Sequence, residues 1–164
     1  MSSVEQTFTL TNQSNQSISI TIDRCQFIPK YSFLDFVQSG LDLNFMIAID
    51  FTGSNGDPSN TSSLHFFNNT SYVPSQLNQY ERCISTIGNV IEFYDSDRMF
   101  PVYGFGGVVP PSMTVNHCFP LNGNETNPEV QGVNGVMDVY HHALGYVKLS
   151  GPTFFNNVIK QANQ

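Results

Sequence analysis

Asp50 is followed at alternate positions by Thr52 and Ser54, in the run Ile49-Asp50-Phe51-Thr52-Gly53-Ser54-Asn55-Gly56. One carboxylate and two hydroxyls offer oxygen and nothing else. Such a donor set suits a hard divalent cation, Mg2+, Mn2+ or Ca2+, and does not suit zinc or copper. Gly53 and Gly56 permit the sharp turns needed to aim three side chains at one point.

The same residues admit other readings. Asp50 could cap a turn, with Thr52 and Ser54 solvated. It could also be the nucleophile of a haloacid-dehalogenase-like phosphatase; that chemistry wants a second acid two residues later, and Thr52 stands there. An EF-hand loop is excluded: counting from Asp50, its sixth position is Asn55, not glycine, and its twelfth is Thr61, not a bidentate acid. Elsewhere the signals are plainer. Asp95 and Asp97 are expected to end a helix. His141 and His142 are adjacent, so on a helix they point about 100° apart and cannot share a metal; one solvated and one half-buried histidine is expected. Gly104-Phe105-Gly106-Gly107 lacks the Lys-Ser/Thr of a P-loop and reads as a strand-to-loop turn. No Ser-His-Asp or Cys-His constellation is legible from spacing, and no enzymatic activity is expected.

The elements that must position Asp50 follow from periodicity. Leu43 through Ile49 is almost wholly apolar and ends at Asp50, as a central strand covered on both faces would. Ligands of open α/β sheets bind just beyond the carboxyl ends of strands. A loop rich in Gly, Asn, Ser and Pro runs from Thr52 to about Pro74. The spacing then predicts an amphipathic helix, with Tyr80, Cys83, Ile84, Ile87, Val90, Ile91 and Tyr94 on one face. Phe100 to Phe105 reads as a second buried strand and Val115 to Leu121 as a short edge strand. A helix is predicted over about 133–144, with Val133, Val136, Met137, Tyr140 and Leu144 inward, and another begins near Thr153. Ahead of these, Ser17 to Ile22 alternates strictly, the mark of a half-buried strand, and Ser32 to Val37 forms a helical turn. Residues 1–16 are polar and expected to be flexible. Alternating strands and helices predict an α/β fold, an open, mostly parallel, Rossmann-like sheet with helices on both faces.

Charge narrows the function. The 164 residues carry 6 basic and 13 acidic side chains, a formal net charge of -7. The basic residues, Arg24, Lys30, Arg82, Arg98, Lys148 and Lys160, form no stripe, so nucleic-acid binding by phosphate neutralisation is not expected, nor is electrostatic attachment to anionic lipid. Cys25, Cys83 and Cys118 lie far apart and read as free thiols in a reducing compartment. Residues 1–15 show neither the basic start nor the apolar run of a secretory signal. The N-x-S/T triplets at Asn60, Asn69 and Asn124 therefore read as loop chemistry.

Several stretches, in order and spacing, resemble the copine family over about residues 17–160. They are Tyr31-Ser32-Phe33-Leu34-Asp35-Phe36, Asn44 through Pro58 with its Asp50-Phe51-Thr52-Gly53-Ser54-Asn55-Gly56-Asp57, Ser63-Leu64-His65, Tyr94-Asp95-Ser96-Asp97, Met99-Phe100-Pro101, Gly104-Phe105-Gly106, Val109-Pro110-Pro111 and Gly151-Pro152-Thr153. The resemblance implies a cytosolic, calcium-dependent phospholipid-binding family, with two lipid-binding β-sandwich domains followed by a von Willebrand factor type A (vWA) domain that binds other proteins. It implies that Asp50, Thr52 and Ser54 form the first loop of a metal-ion-dependent adhesion site (MIDAS), whose Mg2+, Mn2+ or Ca2+ is completed by an acidic side chain of a protein partner. Related domains offer a Thr at the start of a helix from a second loop; by spacing from Gly135, the matching position is Gln131. A third loop contributes an Asp from a strand expected beyond Gln164. On this resemblance residues 17–30 are a strand left from a preceding lipid-binding domain. Residues 31–164 are the N-terminal half of a vWA domain, incomplete at its C-terminus, and plasma-membrane association is indirect. The alternative is a truncated fragment without independent activity.

Overall fold

A computed structural model describes residues 6–22, 27–67 and 77–164. Cys25, Asn69 and the part of the polar loop over 68–76 lie outside the described residues. The chain divides into two compact units, Met1–Gly40 and Leu41–Gln164.

In the first unit, β1 (Gln6–Thr11) pairs antiparallel with β2 (Ser17–Ile22). Where a flexible polar segment is expected through residue 16, a hairpin forms. Its cause is a period-2 pattern hidden in polar composition. Phe8 faces Ile20 and Leu10 faces Ile18 on one side of the ribbon. On the other, hydroxyls pair across the strands, Thr7 with Thr21 at 3.1 Å and Thr9 with Ser19 at 3.3 Å. Asn12 closes the turn, its Oδ1 accepting from the backbone N–H of Ser14 and Gln16, both at 3.0 Å. The unit ends with α1 (Phe33–Gln38), started by a capping box between Ser32 and Asp35.

The second unit is built on one β–α–β crossover. β3 (Ile47–Asp50) lies parallel to β4 (Met99–Phe105), with Ile47 level with Val102 and Asp50 level with Phe105. Between them runs α2 (Gln79–Ile91), continued by a 3-10 turn over Glu92–Tyr94. After β4 the chain folds back in short pieces: β5 (Gly107–Val108), β6 (Val115–Asn116), β7 (Phe119–Pro120) and β8 (Glu129–Gln131). Then come α3 (Gly132–Leu144), β9 (Lys148–Leu149) and α4 (Asn156–Ala162).

The expected mostly parallel sheet is met in part. The fold is mixed α/β with several small sheets, and among the described strands only β3 and β4 pair in parallel. β7 and β8 join β4 antiparallel, and β5 pairs antiparallel with β6 and β9. Pro110, Pro111, Pro120 and Pro128 explain the short strands, since proline brings no N–H to a ladder.

The core gathers around β3 and β4. Ile49, Phe51, Phe100, Val102, Leu121, Val136, Tyr140 and Ala143 are buried in it. On α3 the predicted inward residues Val133, Val136, Met137 and Tyr140 are buried, and Leu144 is half-buried. α2 is rolled away from its predicted face. Its buried residues are Glu81, Ile84 and Gly88, while Cys83, Ile87 and Val90 are exposed. The reason is polar. Glu81 is held inward by its capping box with Asn78 and by His141 Nε2, 2.6 Å from its Oε1, and an apolar-periodicity argument has no access to that constraint.

Candidate metal-binding site

β3 delivers Asp50 to the rim of the sheet because alternate residues of the strand face the core: Ile49 and Phe51 are buried, and Asp50 between them is half-buried. Phe51 N–H still bonds the Phe105 carbonyl at 2.8 Å, and the chain then leaves the sheet in a 3-10 turn over Gly53–Asn55. The backbone N–H of Thr52 donates to Asp50 Oδ1 at 2.7 Å, curling the loop over the carboxylate. Thr52 Oγ1 and Ser54 Oγ are 3.2 Å apart. The three predicted oxygen donors are thus neighbours in one turn, with Thr52 buried and Ser54 exposed. Among the described residues no group of three or more His, Cys, Asp or Glu side chains is placed to hold a metal. A cation here would rest on one carboxylate and hydroxyls, a fit for a hard ion only.

Gln131 does not join them. It pairs with Met99 at the start of β4, whereas Asp50 is level with Phe105 at its end. At about 3.3 Å per residue, that is roughly 20 Å along the strand, beyond any shared ion. The segment that does lie beside Thr52 is the end of β9 and the residue after it. Thr52 and Ser150 form a parallel bridge, Gly53 N–H donates to the Ser150 carbonyl, and Ser150 N–H bonds the Phe51 and Gly106 carbonyls, both at 3.2 Å. Three residues on, Thr153 is exposed just ahead of α4.

Behind the loop lies a buried polar layer. Asn55 Nδ2 donates to the Thr52 carbonyl at 3.1 Å and approaches Thr52 Oγ1 at 3.3 Å, while Tyr80 O–H donates to Asn55 Oδ1 at 3.0 Å. Ser63 Oγ donates to the Gly56 carbonyl at 2.8 Å, securing the far end of the loop. His65 is fully buried, with Nε2 2.7 Å from the Asp50 carbonyl and Nδ1 2.9 Å from the Tyr140 hydroxyl. None of Asn55, His65, Asn78, Tyr80 or Tyr140 was identified from sequence as belonging to the site. The Asn78-x-x-Glu81 capping pattern was legible; the rest depend on long-range contacts.

Burial governs the protonation of this layer. It pushes the Tyr80 hydroxyl up to about 12, with the Asp50 charge adding to the effect, and raises Tyr140 further. Burial also lowers His65 below its ordinary 6.5, against the opposing pull of the Asp50 carbonyl and carboxylate. The unfolded chain therefore takes up this proton first as pH falls. Stability supplied by neutral His65 should be complete above pH 6.5 and decline below it, by at most about 1.4 kcal/mol per pH unit, until the folded protein protonates too. Urea unfolding between pH 7.5 and 5 should show a steeper acid loss in the wild type than in His65→Phe. Equal slopes would mean that His65 is not the group responsible.

The remaining candidates play structural parts. Asp95 Oδ1 accepts from Arg98 N–H at 3.0 Å and Asp97 Oδ1 from Met99 N–H at 2.9 Å, so both close the turn after α2. His141 is half-buried on Glu81, and exposed His142 packs its ring near Tyr146, with centroids 5.3 Å apart. Cys83 and Cys118 are free thiols. Among the described residues no helix is long and apolar enough to cross a membrane.

Comparison with known proteins bears on most of the chain. The family described as Copine matches residues 63–164. The chain is 45% identical over 141 residues to Protein BONZAI 2 of Arabidopsis thaliana, an alignment that covers 86% of this chain and 23% of that relative. The chain thus spans about a quarter of the length of the curated relative it matches. With a family match over more than half of its residues and its motifs in order, the chain belongs to the copine family.

Proposed function

We propose that this chain is a cation-dependent protein-binding module of vWA type, in which Asp50, Thr52 and Ser54 hold Mg2+ or Mn2+ and an acidic side chain of a protein partner completes the ion's shell. The observation that carries the reading is the turn that brings one carboxylate and two hydroxyls together at the carboxyl end of β3. The β3–α2–β4 crossover is compatible with the first part of an open parallel sheet of that type. Thr153, on the loop bonded to Thr52 and Gly53, replaces Gln131 as the second-loop donor. The module binds and performs no catalysis: position 52, where a phosphatase of this layout needs its general acid, is a threonine. By its family, the module would work in the cytoplasm and reach the plasma membrane through calcium-dependent lipid-binding domains of a longer protein.

The test is thermal. Excess Mn2+ should raise the melting temperature by about 3–8 °C, the shift expected when free ligand exceeds its Kd some ten- to a hundredfold. Asp50→Ala should abolish the gain. Asp50→Asn, which keeps an acceptor for Thr52 N–H but loses the charge, should abolish it with a smaller loss of basal stability. Identical melting of the wild type with and without metal would defeat this reading and favour a fragment without independent binding activity.

A further inference from the structure

The back of the proposed cation loop is tied to both helices of the core by a hydrogen-bond chain with a single direction. The Asp50 carbonyl can only accept, so the imidazole proton of His65 sits on Nε2, 2.7 Å away. Nδ1 must then accept, and the donor facing it at 2.9 Å is the Tyr140 hydroxyl. With its proton committed to His65, the Tyr140 oxygen accepts from Asn78 Nδ2 at 3.2 Å. The side-chain oxygen of Asn78 accepts Glu81 N–H at 2.9 Å, in the first turn of α2. Protons therefore point one way, from Asn78 through Tyr140 and His65 to the main chain of Asp50. All three side chains are buried, so water cannot substitute for a lost partner without cost. The His65 ring stacks on both Phe51 and Tyr80, with centroids at 5.5 and 4.2 Å.

We propose that His65, Tyr140 and Asn78 are positioning residues for the cation loop. By holding the Asp50 carbonyl they set the direction of the peptide that carries the carboxylate, and so couple α2 and α3 to the affinity of the site. The proposal rests on the reading of Asp50, Thr52 and Ser54 as cation donors. It adds the residues that make their geometry rigid before an ion arrives. Hydrogen-bond partners behind metal ligands commonly change metal affinity about 10–100-fold when removed.

The experiment uses the whole chain with Tyr140→Phe, which deletes one oxygen, and His65→Phe, which keeps a stacked ring and deletes both nitrogens. Imidazole nitrogen NMR on the wild type should show neutral His65 with its proton on Nε2. A proton on Nδ1, or an imidazolium at neutral pH, would overturn the proposal. In Tyr140→Phe, hydrogen exchange of the Thr52 amide, which bonds Asp50 Oδ1, should quicken roughly fivefold or more, as expected for loss of one buried hydrogen bond. The amides of Val102 and Leu121, bonded elsewhere in the core, should change far less. A uniform rise at all three, or no rise at Thr52, would mean that the chain merely contributes to stability. Mn2+ titrations followed by water-proton relaxation should show affinity about tenfold weaker in both variants. His65→Gln, which retains a donor toward Asp50, should recover part of it. Should the wild type take up no Mn2+, the cation reading fails, while the exchange and tautomer results still decide whether the chain positions the loop.

Discussion

Gly106→Ala should destabilise the protein by about 2–4 kcal/mol and remove the Mn2+-dependent gain in melting temperature that the proposed cation site would confer, although residue 106 offers no ligand. Gly106 follows β4 with φ +75°, a conformation that costs an L side chain about 1–2 kcal/mol. A Cβ there would lie 2.3 Å from Thr52 Cγ2 and 3.3 Å from Thr52 N. Thr52 is almost fully buried and held by its bridge to Ser150, so it cannot yield without moving the hydroxyl that faces Ser54. Strain and overpacking then add, and the second falls on the site. Gly123→Ala is the control, since its φ is +71° but nothing lies within 4 Å of its Cβ. It should lose about 1–2 kcal/mol by strain alone and keep the cation response. Urea unfolding and Mn2+-dependent melting of the two variants would settle the matter. A Gly106→Ala protein as stable and as responsive as Gly123→Ala would refute the account of the Gly106–Thr52 contact.

Phe51→Ala should cost about 3–5 kcal/mol, the range for deleting a fully buried aromatic ring. Phe51 has no exposed surface and packs against His65, with centroids at 5.5 Å, and Phe119 at 5.9 Å. It lies between Asp50 and Thr52, so one residue anchors the loop to the core and forms one wall of the His65 slot. A domain with a typical stability of about 5–15 kcal/mol would lose a large share of it. The midpoint of urea unfolding should fall with little change in slope. Phe51→Leu, which leaves a smaller void, should cost clearly less. A loss below about 1 kcal/mol for Phe51→Ala would show that the ring is not packed as described.

Local patterns carried the part of this architecture that short segments can encode. The apolar run to Ile49 marked β3, and the following Asp50, Thr52 and Ser54 marked the turn, because strand burial and turn chemistry are written in neighbouring residues. The inward face of α3 was equally legible from its spacing. Patterns failed where a polar contact or a proline competed with apolar periodicity. The hairpin at Gln6–Thr11 hid in threonines, α2 rolled to bury Glu81, and the expected parallel sheet gave way to short antiparallel pairs after Phe105.

The amino-acid sequence alone determined that one carboxylate and two hydroxyls stand in the loop after β3, the donor set on which the proposed hard-cation site rests. Tertiary structure alone decided what surrounds that loop. It set Gln131 at the wrong end of β4 and the Ser150 segment beside Thr52, and brought His65 and Tyr140, 75 positions apart, into one hydrogen bond behind Asp50. The physical reason is that strand register and helix roll are settled by the whole core at once, so no local window of residues contains them.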